Sequence, residues 1–550
     1  MKNFSPAQYQ LPLNLKKIIL ENPESSQEEV PVDVLFVGAG PAGLAGAIEL
    51  ARLVKKANEE GQGPGQVEIG VLEKAEALGN HNLSGAVVNP VAFKELFPET
   101  PMNEFPFKKA VDHEAVYLIT EKSQIKLPTP PTMKNKGNYI ASISECVRWL
   151  GEKAQNAGVN ILNNFPADSL IIRDGVVAGV RTTPMGLGRD NQPGSSFMPS
   201  TDVTAKITVL CEGTRGQLTS SYIDWKQIHS EAPQIFALGV KELWKSPNPP
   251  LEIVHTLGWP LPRNAFGGSF MYPMGDNLFA IGLVVGLDYH QHNLDVHNLL
   301  QQTKTHPLFS PHFKNGEIQE WGAKTIPEGG WYALPKRLHG DGIMFCGDTV
   351  GMVNVPALKG IHYAMMSGIF AARTAFEALM KKDFSQNTLK NYDQKIHSSI
   401  IAKDLKYTRH MRNVFKNGFY VGGAKAAMLT VFGGHFPGYH GALPSDSAEP
   451  RKVSTAVTPK PEGAISKVDA VYLSGNNTRD DIPSHLSVGS DIPKEVAEFY
   501  SALCPAGVYE VRDGKLVINA PNCIDCKATD VLGPRWQPRE GGSGPKYKMM

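Results

Sequence analysis

Short unbroken apolar runs alternate along this chain with helical stretches rich in small residues, and glycine punctuates the joins. At 32–37 the run VDVLFV meets a glycine turn and then LAGAIELARL. An apolar run without alternation that feeds a segment of helical period predicts a buried parallel strand entering its crossover helix. KKANEEGQGPGQ closes that helix, and VEIGVLEK predicts a second strand ending on an acidic residue. A helix is expected to begin around 139–150, strands within 158–182 joined by an RDG turn, and a further buried strand at KITVLCEG. Between about 235 and 330 the chain becomes richer in Trp, Pro, Gly and Tyr, which predicts a separate domain of mixed strands and loops on the substrate side. DGIMFCG at 341–347 predicts another strand, followed by a long helix over 357–380 with small residues on one face, so the first domain closes late. SDSAEPRKVSTAVTPKPEGA has linker composition and precedes a cysteine-bearing terminal segment. No internal repeat is present.

Bulk properties narrow the function. With 550 residues, 41% of them hydrophobic, the chain can bury a large core, divided over about two to four domains. Lys and Arg total 55 against 54 for Asp and Glu. The chain therefore lacks the global positive field by which proteins gather nucleic acid, and a nucleic-acid partner is not expected. Six cysteines are too few for a disulfide framework, and three of them fall in the last fifty residues, which suggests local metal chemistry in a reducing compartment. The first residues show neither a signal peptide nor an Arg-rich transit pattern, so no export is expected. No run approaches the ~18 apolar residues of a membrane span, which leaves peripheral contact as the expected mode of any membrane association.

The first glycine turn carries the clearest chemistry. Gly38, Gly40 and Gly43 form GxGxxG directly after the first predicted strand, and Glu73 ends the next strand. Bare backbone at the first two glycines lets a pyrophosphate approach. The helix N-terminus offers unpaired N–H groups, and the carboxylate can bind ribose hydroxyls. Some three hundred residues later, IMFCGDTVGMVNVPALKGIHYAMMSG places Gly347 and Asp348 after a strand and Gly360 at the start of a helix. Asp348 can bind a ribityl hydroxyl. The helix pole behind Pro356 and Lys359 would face the electron-accepting edge of a flavin, so the two halves together predict FAD. No His/Asp/Ser constellation indicates acid–base or nucleophilic catalysis; His81 and His362 are expected to be structural.

The blocks VDVLFVGAGPAGLAGAIEL, EKAEALGNHNLSGAVVNPVAFKELFPE, HTLGWPL, GGSFMYPM, AIGLVVGLDY and NVPALKGIHYAMMSGI, with the tail CPAGVYE, INAPNCIDCKATD and EGGSGPKY, resemble the electron-transfer-flavoprotein:ubiquinone oxidoreductase family from about residue 30 onward. The resemblance implies an α/β and α+β multidomain chain. Its parts are a Rossmann-type, glutathione-reductase-like FAD domain (30–235 plus 331–400), a mixed quinone and membrane-surface domain (236–330 plus 401–445), a linker (446–464), and a small ferredoxin-like domain holding a [4Fe-4S] cluster (465–550). It also implies that electrons arrive from reduced electron transfer flavoprotein and leave to ubiquinone or menaquinone. The enzyme would be peripheral on an inner membrane, with the bacterial cytoplasmic face favoured.

Cys504, followed by Pro505, and the CxxC pair Cys523 and Cys526 have a spacing that brings three thiolates to one cluster. The family pattern continues to a fourth cysteine, but here that position is Thr529. Asp525, Asp530 or Thr529 could supply an oxygen ligand, the cluster could hold three irons, or it could be absent. A zinc site built from the three cysteines with His485 is the bland alternative. Cys146, Cys211 and Cys346 read as buried small hydrophobes. Gly267 and Gly268 match the glycines that the family places against the quinone headgroup, although a strand turn explains them equally well by sequence alone. The segment 414–437 matches the family's membrane-surface segment. An alternative with the same fold is a geranylgeranyl-reductase-like or hydroxylase-like enzyme that acts on a hydrocarbon.

Overall fold

In a computed structural model, which describes residues 3–417, 419–431, 434 and 443–550, the first apolar runs lie side by side in one sheet. Strand Glu28–Val37 sits between Thr201–Leu210 and Ile69–Glu73, and all three are parallel. Asn160–Asn163 extends the parallel set on one side and Ile343–Phe345 on the other. Residues 34–37, 69–72, 207–210 and 343–345 are buried along their whole length, as covering both faces of the sheet requires. An antiparallel pair, Ala167–Arg173 and Val176–Thr182, continues the sheet through the expected turn. Asp174 and Gly175 there have φ of 51° and 82°, the two left-handed centres of a tight hairpin. Ile19–Glu21 adds an outermost strand, so this unit begins before residue 30.

Two helices cover the nucleotide face, Pro41–Glu59 and Ile361–Lys381. They cross in very close contact. A Cβ placed on Gly368 would lie 2.0 Å from the carbonyl oxygen of Ala42, and one on Gly46 would lie 2.9 Å from that of Gly368. Small residues at the crossing thus bring both N-termini to one place. The helix expected around 139–150 starts at Ile143, because Tyr139–Ala141 is a strand and Ser142 caps the helix by accepting the Glu145 N–H.

The middle segment forms a seven-stranded sheet in the order Glu317–Pro327, Phe236–Lys245, Leu278–Gly286, Gly267–Gly275, Ile253–Gly258, Glu114–Ile119, Gln124–Leu127. Its last two strands come from a stretch that the sequence reading placed in the FAD domain. They belong here because Glu114–Ile119 pairs in parallel with Ile253–Gly258. The segment read as a linker is also anchored. The Arg451 guanidinium is fully buried and donates to the carbonyls of Leu287 and Asp446 at 2.7 and 3.0 Å. The terminal cysteine-bearing unit shares its apolar core with the second sheet, where Phe499, Tyr500 and Leu503 join Val240 and Trp321. Among the described residues no helix is long and apolar enough to cross a membrane.

Candidate functional site

One cavity of about 1120 Å³ runs between the two sheets, larger than an ordinary small-molecule pocket and roomy enough for a dinucleotide and a second ring system. Gly38, Gly40 and Glu73 line it from the first sheet, Asp348, Pro356, Lys359 and Gly360 from the second half of the nucleotide unit, and Gly267 and Gly268 from the second sheet. The predicted residues therefore converge from three distant parts of the chain.

The glycines divide by role. Gly38 has φ 109°, and a Cβ there would lie 2.4 Å from the Cys211 carbonyl oxygen, so no other residue fits the turn. Gly43 lies outside the cavity; its Cβ would overlap the Gly38 oxygen at 2.0 Å, which makes it a strand–helix packing position. Gly347, with φ 71°, likewise stays out of the lining and packs near Ala364. Gly40 is the N-cap of Pro41–Glu59 and Gly360 that of Ile361–Lys381, so the first-turn N–H groups of both helices lack intrahelical partners at the cavity. Glu73 holds the glycine turn by accepting from the Ala39 N–H at 3.2 Å and the Ala75 N–H at 2.8 Å.

The walls fit an anionic, hydrogen-bonding cofactor. His255 Nε2, Gln217 Oε1 and His362 Nδ1 are buried at the cavity without hydrogen-bond partners, and such groups call for a ligand. Burial lowers Lys241, Lys324 and Lys359 to about 8 and Lys527 to about 7. It raises Asp348 to about 6. A diphosphate and a polar ring would supply partners to His255, Gln217 and His362 and offset the burial of the lysines. His362 is buried and His81 partly buried, and both border the cavity. Cys146, Cys211 and Cys346 are buried free thiols.

Where the second sheet bounds the cavity, a Cβ on Gly267 would lie 2.0 Å from the Val284 carbonyl oxygen and one on Gly268 2.2 Å from that of Thr256. Neighbouring strands alone therefore require glycine at both positions, and the space left open borders the cavity. Phe266 lines the same cavity, beneath the Arg412 guanidinium at 4.0 Å. Arg412 is itself held by Asp288 and Glu328, each at 3.0 Å. Sequence reasoning missed this buried ion group because its members lie far apart in the chain. Only part of 414–437 lies within the described residues. In helix Phe419–Val431, Val421 and Met428 are 51% and 41% exposed.

A second, smaller cavity is lined by Cys504, Cys523, Cys526 and Thr529 among apolar neighbours. Asp525 and Asp530 are not in that lining. Burial pushes the Cys523 thiol up to about 12 and raises Cys504 and Cys526 as well, so a bound cation is needed to hold the three as thiolates. Three soft donors converging in an apolar chamber fit an iron–sulfur group. His485 approaches Cys523 and Asp525, with donor atoms within 4.8 Å of one another. It does not line the chamber with Cys504 and Cys526, so the four zinc donors are not gathered. Lys527 and Trp536 line both cavities and form the partition between them, with Lys527 Nζ 3.2 Å above the Trp536 ring. No spacing rule could have singled out this pair.

Comparison with known proteins agrees with this geometry. Residues 236–326 match the model "ETF-QO, ubiquinone-binding", and residues 464–548 match "Electron transfer flavoprotein-ubiquinone oxidoreductase, 4Fe-4S". The mitochondrial electron transfer flavoprotein-ubiquinone oxidoreductase of Arabidopsis thaliana is 36% identical over 96% of this chain and 86% of its own length. That of Homo sapiens is 35% identical over 96% and 90%. Among solved structures, a geranylgeranyl bacteriochlorophyll reductase-like protein from Thermoplasma acidophilum covers 74% of this chain and 92% of its own at a TM-score of 0.57 and 18% identity, a likeness of fold. With relatives of this identity along almost its whole length, the chain belongs to the electron transfer flavoprotein-ubiquinone oxidoreductase family.

Proposed function

We propose that this oxidoreductase takes electrons from reduced electron transfer flavoprotein and delivers them to a membrane quinone, ubiquinone or menaquinone. The observation that carries the reading is the arrangement of chambers: the large cavity meets the three-cysteine chamber across Lys527 and Trp536, and Gly267 and Gly268 line that same large cavity. FAD, when bound, supplies chemistry that couples one-electron and two-electron transfer.

The chain's own residues hold and shield. Gly38, Gly40 and the N-terminus of Pro41–Glu59 receive the diphosphate, and Glu73 and Asp348 accept from ribose and ribityl hydroxyls. Pro356, Lys359 and Gly360 fix the helix pole beside the ring, and the apolar lining excludes water. Cys504, Cys523 and Cys526 hold the cluster. Gly267 and Gly268 leave room for a flat headgroup beneath Phe266. Exposed Val421 and Met428, on one face of Phe419–Val431, support contact with lipid; on this reading the enzyme is peripheral on an inner membrane, in a bacterium on its cytoplasmic face.

The direct experiment mixes enzyme with reduced electron transfer flavoprotein and a short-chain quinone under anaerobic conditions and follows carrier oxidation and quinol formation. Stoichiometric quinol with either quinone type supports the reading. Flavin-loaded enzyme that leaves the carrier reduced would overturn it. Reduction of a polyprenyl substrate instead would favour the geranylgeranyl-reductase-like alternative.

A further inference from the structure

The cysteine chamber is lined by three thiols, by Thr529 and by the buried Tyr509, and the two carboxylates nearest in sequence are occupied elsewhere. Asp525 Oδ2 pairs with Lys74 Nζ at 2.6 Å. Its Oδ1 accepts from Trp536 Nε1 at 3.0 Å, faces Arg539 at 3.0 Å, and lies 3.8 Å from Cys523 Sγ. Arg539 is only 3% exposed, so withdrawing Asp525 toward a metal would strand a buried cation, which costs several kcal/mol. Asp530 accepts from Arg215 Nε at 3.1 Å and from the Trp536 N–H at 3.1 Å. It follows Thr529 in the short helix Ala528–Leu532, and a one-residue step there turns the side chain by about 100°. Thr529 is the residue of the three that faces the chamber. Beside it the buried Tyr509 hydroxyl has Thr529 as a polar neighbour.

We infer that Thr529 Oγ1 is the fourth protein ligand of the cluster, so that one iron is bound by oxygen while the other three are bound by thiolate. This rests on the reading of the chamber as an iron–sulfur site. A hydroxyl oxygen is a harder and weaker donor to iron than a thiolate, so the oxygen-bound iron is the exchangeable one. Under ferricyanide the cluster gives up one electron, which reduces one ferricyanide. One ferrous ion then leaves with its positive charge, the Thr529 oxygen is freed, and an oxidised three-iron core stays on the three thiolates. Ferrous ion with a thiol reductant reverses both changes.

The test uses full-length, FAD-loaded protein purified anaerobically, with iron and sulfide analysis and low-temperature EPR before and after one equivalent of ferricyanide. Wild type is expected to contain four irons, to give the three-iron signal on oxidation, and to regain the fourth iron from ferrous ion. T529C should resist the same treatment at least ~10-fold longer. T529A should be isolated in the three-iron form, and T529S, which keeps a hydroxyl, should match wild type in lability. Flavin content and melting temperature confirm that each variant is folded. The inference is overturned if T529C loses iron as fast as wild type, if T529A keeps four irons, or if wild type holds three irons and takes up no fourth. Folded, FAD-bound wild type without any iron would instead sink the underlying assignment of the chamber.

Discussion

Gly368→Ala probes the geometry that assembles the flavin cavity. The added Cβ would sit 2.0 Å from the Ala42 carbonyl oxygen and 3.1 Å from the Gly46 nitrogen, both of them backbone atoms that cannot rotate away. Relieving the overlap requires helices Pro41–Glu59 and Ile361–Lys381 to part by about 1 Å, and a gap of that size forfeits a quarter to a half of the dispersion energy across an interface. With ~50 atom pairs at ~0.15 kcal/mol each, the loss is about 2–4 kcal/mol. Alanine in a helix interior contributes about 1 kcal/mol of the opposite sign. A net destabilisation of about 1–3 kcal/mol is expected, together with weaker FAD retention because both helix N-termini shift. Denaturant unfolding of the variant, with flavin absorbance after desalting, measures both, and Lys381→Ala at the exposed helix end serves as control within ~0.5 kcal/mol. If Gly368→Ala is stabilising and keeps its flavin, the close crossing does not position the site.

Glu73→Ala removes the acceptor of the Ala39 and Ala75 N–H groups and should weaken FAD binding by ~10–100-fold, the worth of a charged hydrogen bond, in a fluorescence titration. Glu242 is fully buried, yet against that burial Lys304, Gln301 and Trp244 hold its carboxyl below the usual 4.5. Its folded value is depressed, so its stabilising contribution is present above about 4.5 and is lost as pH falls through the folded value. Glu242→Gln should therefore lower the melting temperature at neutral pH, by about 3 kcal/mol in stability terms, and flatten the acid limb of a melting-temperature profile; an unchanged acid limb would contradict this. The paired change Val421→Lys with Met428→Lys should reduce binding to neutral vesicles by at least ~10-fold in a flotation assay while leaving the flavin spectrum unaltered.

The elements legible in the sequence were those whose signal is local. GxGxxG, the apolar strand before it, Glu73 and the late Gly347–Asp348 turn each state their conformation within a few residues, and all were placed by periodicity and turn chemistry. Membership of a sheet was a different matter. Whether Glu114–Ile119 joins the first or second sheet depends on a parallel pairing with a strand far along the chain, and nothing within the segment encodes that choice. Arg451 sat in a stretch of linker composition because composition records a charge and not the carbonyls that receive it. Gly267 and Gly268 were legible as glycines with a purpose, but the carbonyls of Val284 and Thr256 that enforce them belong to other strands. The same holds at the partition. Lys527 adjoins a cysteine pair in sequence, while Trp536 meets it only through the fold.

The cysteine loop is bolted to two bodies at once. Lys324 donates to the Asp525 carbonyl and the Thr325 N–H to that of Cys526, both at 3.0 Å from the second sheet, while Lys74 and Arg215 grip Asp525 and Asp530 from the nucleotide unit. A loop in that position acts as a keystone. Whatever orders it is felt on both sides, and metal loading becomes a term in the folding equilibrium of the entire chain. Apo protein should then melt in separate steps, with the nucleotide unit and the second sheet parting company, and loaded protein should melt as one.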